Sequence, residues 1–259
     1  MPIMSEHALW MTVGISCVLA VASLVAAVLK RRIAQGAPHA ALDNLAARIV
    51  SWWVMAALLG AVFWLGAVAT TLLFALLAMQ ALREFTAAPA PQGVRTWLTG
   101  SLICVLCIAA IPALLTLNIP HYEGRNVFLL VFLILVTQAS DVLQYIWGKW
   151  IGKYLIAPAI SPGKTVEGFV GGVTSATLMG AGVWWITPFT PMQAALVALL
   201  LTLLGFTGGL YMSAQKRTRG IKDWGDLIKG HGGVLDRLDS LWLPAPVYFI
   251  LLKLGFCVS

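Results

Sequence analysis

Asp236 and Asp239 lie three residues apart in the run Val234-Leu235-Asp236-Arg237-Leu238-Asp239-Ser240. On a helix this spacing puts both carboxylates on one face, with Arg237 turned away and Ser240 beside them. Such a pair suits magnesium, which takes one or two protein carboxylates and completes its octahedron with water and substrate phosphates. Just upstream, Gly230-His231-Gly232-Gly233 can adopt positive φ, so that backbone amides turn toward a bulky anion. Lys216-Arg217 and Lys222-Asp223 precede it. Cations, acids and open backbone together describe a site for a metal-bound polyphosphate.

A second constellation spans Ser140 to Gly172. Asp141 sits in an apolar run, where an ionised carboxylate costs about 2.5 to 3.5 kcal/mol on insertion scales and so lines a cavity or meets a partner. Gln144 and Tyr145, at i+3 and i+4, share its face. Ser161-Pro162-Gly163-Lys164-Thr165 then reads as a rigid turn with a lysine and two hydroxyls, suited to another phosphate. It leads to Glu167 and a glycine-rich helix start. It is not a Walker A loop, because the spaced glycine before Gly-Lys is missing.

The elements that must hold these residues are apolar. The 259-residue chain is 60% hydrophobic and 10% charged, with a mean hydropathy of +0.88, which excludes a soluble globular domain. Runs of helical length predict an all-α integral membrane protein, a polytopic bundle of about eight transmembrane helices. The expected spans are 9–29, 49–65, 67–82, 97–117, 127–147, 169–186, 193–211 and 241–257. The stretch from Ile49 to Leu82 is long enough for one bent helix or two, with Gly66 the obvious place to turn. No cleavable signal peptide is expected, so the first run should remain a span. With eight spans, the odd-numbered loops hold fifteen of the 17 basic residues. The positive-inside rule then puts those loops and their catalytic residues in the cytoplasm. Cys104 and Cys107 lie among Leu, Ile and Ala with no histidine or second pair, which favours packing over metal or redox chemistry. The net charge of +7 serves topology and anionic lipid rather than nucleic acid. Residues 1–259 read as one membrane domain, with N-terminal helices in 1–126 and the motif-bearing half in 127–259.

The segment KRTRGIKDWGDLIKGHGGVLDRLDS, Lys216 to Ser240, closely resembles the C-terminal signature of the phosphatidate cytidylyltransferase (CDP-diacylglycerol synthase) family, and SPGKTVEGFVGG resembles its other recurring motif. The resemblance implies a multi-helix membrane fold and Mg²⁺-dependent transfer of a cytidylyl group from CTP to phosphatidic acid, releasing pyrophosphate. It implies a metal ligand at Asp236, polar-site residues at Lys222 and Asp223, and a place for His231 in the glycine loop. Asp141 matches the family aspartate of the earlier span. Joined to the residue reading, this assigns Asp141, Lys222, Asp223, His231, Asp236 and Asp239 to catalysis. Asp236, Asp239 and Asp141 are the expected metal ligands, with room for a second cation. Ser161, Lys164, Thr165, Lys216, Arg217, Gly232, Gly233 and Arg237 are expected at the substrates.

The chain departs from the family pattern where Gly208-Gly209-Leu210-Tyr211-Met212-Ser213 replaces Gly-Asp-Leu-x-Glu-Ser. The aspartate replaced by Gly209 is one that the family pattern associates with metal binding. A lipid-phosphate binder or transporter that keeps the site without catalysis is therefore the alternative. A CDP-alcohol phosphotransferase is disfavoured, because its spaced Asp-Gly-x-x-Ala-Arg pattern is absent. The expected place is a bacterial inner membrane, with the site facing the cytoplasm. The sequence does not decide between a monomer and a homodimer.

Overall fold

The computed structural model describes residues 40–89, 94–225 and 232–257, with 13, 14, 16, 17, 19, 20, 23, 24, 26–28, 30 and 31. The chain divides into two compact units, residues 1–70 with 228–231 and residues 71–227 with 232–259. In the first, helix α1 (Ala40–Leu65) ends at Gly66, and α2 (Ala67–Ala87) begins directly after it, belonging to the second unit from Thr71 onward. Gly66 has φ +98° and its amide donates to the carbonyls of Val62 and Phe63. A side chain at that φ is strained, so glycine makes the joint. The stretch from Ile49 to Leu82 is thus two helices.

The second unit continues with α3 (Val94–Ala113), a 3₁₀ turn at Leu114–Thr116, α4 (Val127–Ile151), strands β1 (Leu155–Ala157) and β2 (Ser161–Thr165), and α5 (Val166–Gly182). A second 3₁₀ turn at Trp184–Ile186 precedes α6 (Pro191–Thr218), the short α7 (Leu235–Leu238) and α8 (Pro244–Gly255). The expected all-α fold is corrected in one place. β1 and β2 pair antiparallel, with Leu155 opposite Thr165 and Ala157 opposite Ser161, so the Ser161–Thr165 turn is the second strand of a hairpin. Pro162 is tolerated there because a two-stranded sheet is all edge.

Local signals fix the helix ends. The Thr165 hydroxyl accepts from the Gly168 amide and starts α5. Thr190 and Gln193 form a reciprocal capping box at α6, with Pro191 at its first turn. Among the described residues α2, α4 and α6 are long and apolar enough to cross a bilayer. The expected span 49–65 lies inside α1, and 97–117 is filled to Thr116 by α3 and its 3₁₀ turn, whereas α8 is shorter than the expected 241–257. Proline marks both places: Pro112 lies a residue before α3 gives way to its 3₁₀ turn, and Pro244 opens α8 three residues after the expected start. The expected span 169–186 is also broken, α5 stopping at Gly182 before the 3₁₀ turn. Ten of the 21 residues of the expected first span, 9–29, lie outside the described residues. Cys104 and Cys107 are buried free thiols in α3, as packing required.

The glycines of the second motif serve helix contact. A Cβ on Gly168 would lie 2.6 Å from the Gln144 carbonyl oxygen, and one on Gly172 would lie 2.6 Å from the Gln144 nitrogen. This Gly-x-x-x-Gly spacing lets α5 lie against the α4 backbone, as small residues do where lipid supplies no hydrophobic drive between helices. At the other end of the helices, Tyr122 donates to the Ile186 carbonyl, Arg125 to that of Trp185 (2.9 Å), and Asn126 to those of Leu115 and Leu117 (3.0 and 2.7 Å). Phe132, Phe189 and Tyr248 close the core between α4 and α8.

Gly172→Ala should therefore destabilise the protein by about 1–3 kcal/mol, because the clash is with backbone that cannot move aside. Gly182→Ala, where a Cβ meets nothing within 4 Å, should be neutral. Thermal unfolding of both variants in detergent checks the contrast.

Candidate active site

A cavity of about 290 Å³ opens between α4, the hairpin, the start of α5, α6 and the residue after α7. Asp141 enters it from α4, Ser161, Lys164 and Thr165 from β2, Gly209 and Ser213 from α6, and Asp239 from the end of α7. Gln144, Tyr145 and Phe169 complete the wall. The Lys164 ammonium lies 4.5 Å from the Phe206 ring centroid. It is also 3.4 Å from where a Cβ on Gly209 would stand. The bare backbone at 209 leaves space that the lysine head uses.

The cavity is electrostatically loaded. Burial pushes the Asp239 carboxyl up to about 7, and the negative charges of Asp141 and Asp236 add to this while Lys216 and Lys164 oppose it. Burial likewise holds Lys164 below the usual lysine range, against the pull of Asp141 and Asp239, with Lys216 lowering it further. A site that already mixes two acids with a desolvated ammonium can exchange internal partners for a charged ligand and its counter-ion.

The loop behind the cavity is organised by two other carboxylates. Asp236 Oδ1 accepts from Lys216 Nζ at 2.8 Å, and Oδ2 accepts from the amides of Trp224 (2.8 Å) and Gly233 (2.9 Å). Glu84, at the end of α2, accepts from the Val234 amide through Oε1 (2.9 Å) and from Leu235 through Oε2 (2.8 Å). The Arg219 guanidinium donates to the Phe85 carbonyl and lies over the Phe85 and Trp224 rings. At the far end of α7, Gln138 Nε2 donates to Ser240 Oγ (3.0 Å), and this hydroxyl faces Asp141.

Asp141, Ser161, Lys164, Thr165 and Asp239 are thus brought together around one cavity. Lys216 and Asp236 pair with each other beside it, so both Asp236 oxygens are engaged. Arg217 is turned to the carbonyls of Ile160 and Ile221. Lys222 and Asp223 are exposed and, like Arg237, outside the cavity lining. Of the run Gly230-His231-Gly232-Gly233 expected to cradle a phosphate, Gly232 and Gly233 are described. The Gly233, Val234 and Leu235 amides are taken by Asp236 and Glu84, and Cβ atoms on Gly232 and Gly233 would lie 2.7 and 2.3 Å from those carboxylates. His231 lies outside the described residues, as do Gly230 and Lys229. Sequence reasoning missed Glu84, although it is the only acid between Asp43 and Glu123.

Among the described residues no group of three or more His, Cys, Asp or Glu is placed to hold a metal by itself. Asp141 and Asp239 supply two carboxylates to one cavity, with the Ser161 and Ser213 hydroxyls on the same wall. This all-oxygen set fits Mg²⁺ carried with phosphates, which needs only one or two protein carboxylates.

The folded-state pKa of Asp239 lies above the model-compound value of 3.8, so between about pH 4 and about pH 7 the folded chain keeps a proton that the unfolded chain releases. The contribution of this group to stability is fully present below that window and falls as pH rises through it. Metal-free protein in chelator should lose thermal stability from about pH 4 to about pH 7, and Asp239→Asn should flatten that part of the curve. An unchanged slope in the variant would assign the titration to another group.

Residues 92–255 match the cytidylyltransferase family. The uncharacterized protein YnbB of Escherichia coli (strain K12) is 40% identical over 155 residues, which cover 60% of this chain and 52% of that protein. Phosphatidate cytidylyltransferase of Synechocystis sp. (strain ATCC 27184 / PCC 6803 / Kazusa) is 44% identical over 120 residues, 45% of this chain and 41% of that enzyme. Phosphatidate cytidylyltransferase of Staphylococcus aureus (strain COL) is 39% identical over 132 residues, half of each chain. The chain spans about half the length of the curated relatives it matches. The match to residues 92–255 takes in every element that lines the cavity, from α4 through Asp239, and on it the chain belongs to the cytidylyltransferase family.

Proposed function

We propose that the chain transfers a cytidylyl group from CTP to phosphatidic acid or a related lipid phosphate, forming CDP-diacylglycerol and pyrophosphate. The observation that carries this reading is the single cavity in which Asp141, Asp239 and Lys164 meet, within the family-matched segment. In the reaction an ionised oxygen of the lipid phosphate bonds to the α-phosphorus of CTP. The bond from that phosphorus to the β-phosphate oxygen breaks, and pyrophosphate carries away the electron pair. No general base is needed, since the nucleophile is already an anion. Alignment and charge neutralisation therefore supply most of the acceleration.

Asp141 and Asp239 would hold Mg²⁺, which when bound neutralises phosphate charge and orients the polyphosphate. Lys164 would contact a phosphate, releasing its internal carboxylate partners as the ligand arrives. Ser161 and Thr165 line the same wall and offer hydroxyls to phosphate oxygens. Asp236, which the resemblance implied to be a metal ligand, holds the loop through Lys216 and backbone amides. Gly209 leaves the pocket one carboxylate short of the family pattern, so the metal would enter mainly with CTP.

The alternative, a lipid-phosphate binder without catalysis, draws on Gly209 and on Met212, which is buried where the family pattern has an acid. Purified protein with CTP and Mg²⁺ separates the two. A transferase releases pyrophosphate only when phosphatidic acid is added, and Asp141→Asn should slow that release about 100- to 1000-fold. Binding of phosphatidic acid without lipid-dependent pyrophosphate release would favour the binder.

The proposed topology has eight spans, with the hairpin and the Lys216–Ser240 segment in the cytoplasm, on the inner face of a bacterial membrane. Its support is the distribution of the 17 basic residues. In a background with Cys17 and Cys257 replaced by serine, Lys153→Cys should resist an impermeant thiol reagent on intact cells and react after permeabilisation. Labelling from outside would reverse the orientation.

A further inference from the structure

Glu84 is 6% exposed, and each of its carboxylate oxygens is committed. Oε1 accepts from the Val234 amide and from Gln80 Nε2 (3.2 Å), and Oε2 accepts from the Leu235 amide. Two glycines are cut to its shape. A Cβ on Gly233 would lie 2.3 Å from Oε2, and one on Gly225 would lie 3.1 Å from Cδ. These contacts join the end of α2 to the first turn of α7, about 150 residues further along the chain. α7 is only four residues long and is followed at once by Asp239, which lines the cavity. A helix of one turn has too few internal hydrogen bonds to hold its own position. Its place is set by Glu84 at the start, the Lys216–Asp236 pair in the middle and Gln138–Ser240 at the end.

We propose that Glu84 is a positioning residue of the transfer site, fixing the start of α7 and through it the place of Asp239 in the cavity. Glu84 lies before the family-matched segment, so the site depends on a carboxylate from outside that segment. The inference rests on the cytidylyl-transfer reading. A carboxylate can accept two amides at once, whereas glutamine presents an N–H₂ group to one of them. Glu84→Gln thus keeps volume and breaks one anchor. A carboxylate misplaced by about 1 Å costs on the order of 100-fold in rate through lost alignment, with little effect on ground-state affinity.

The test uses the full chain in detergent, comparing wild type, Glu84→Gln and Gly225→Ala. The alanine Cβ presses the Glu84 carboxylate aside by a few tenths of an ångström without removing any group. We expect kcat for pyrophosphate release to fall about 10- to 100-fold in Glu84→Gln and by a smaller factor in Gly225→Ala, with KM for CTP within about threefold. Hydrogen exchange should speed at the Val234 and Leu235 amides while α5 keeps its protection. Wild-type kcat in Glu84→Gln, unchanged exchange at those two amides, or a loss of activity matched by equal loss of α5 protection would each overturn the inference. If wild-type protein releases no pyrophosphate, the functional reading itself fails. An active wild type with an unaffected variant defeats only the role given to Glu84.

Discussion

The buried carboxylate of Asp236 is the contact on which the site's loop depends. Its side chain is 7% exposed and that of Lys216 is 10% exposed, so both charges have left water. A pair like this is tolerated only when its remaining lone pairs are also satisfied, and here two backbone amides complete the set. Breaking such a pair from one side costs about 3–5 kcal/mol, because the surviving charge stays buried without a partner. The contact ties the last turn of α6 to Trp224 and Gly233. The dense charge of the Lys216–Ser240 segment is therefore partly self-directed.

The cavity itself works by a different balance. Packing keeps Asp141 and Asp239 close although their like charges repel, and Lys164 sits between the cost of burial and the pull of both acids. Gly209 contributes by absence, leaving room for the lysine head, which also rests on the Phe206 ring. This prepared mixture of charges is held by rigid neighbours. The hairpin aims Lys164, α4 carries Asp141, and the close α4–α5 contact made by Gly168 and Gly172 fixes the two walls against each other.

The glycine run before Asp236 shows how one chemical rule can be met in two ways. Amides exposed by glycine seek an anion. For the Gly233, Val234 and Leu235 amides the anions are Asp236 and Glu84 of the same chain, and the start of α7 is fixed by them. Ser161, Lys164 and Thr165 are the polar side chains that the hairpin brings to the cavity wall.

Much of this was legible in the sequence. Composition dictated apolar helices, Gly66 marked the joint between α1 and α2, and the two motifs located Asp141, Lys164 and Asp239 because residue type and local spacing act over a few residues of chain. Span lengths were less legible, since α8 begins only at Pro244 and α5 stops at Gly182, where hydropathy alone extends both. What only the tertiary structure decided was partnership. Asp236 and Asp239 are alike in type and neighbours in sequence, yet one is saturated by Lys216 and backbone amides while the other faces the cavity. Glu84 gained its role from a contact spanning about 150 residues. Local spacing cannot say which donor reaches a buried carboxylate first, because that is set by how distant helices pack.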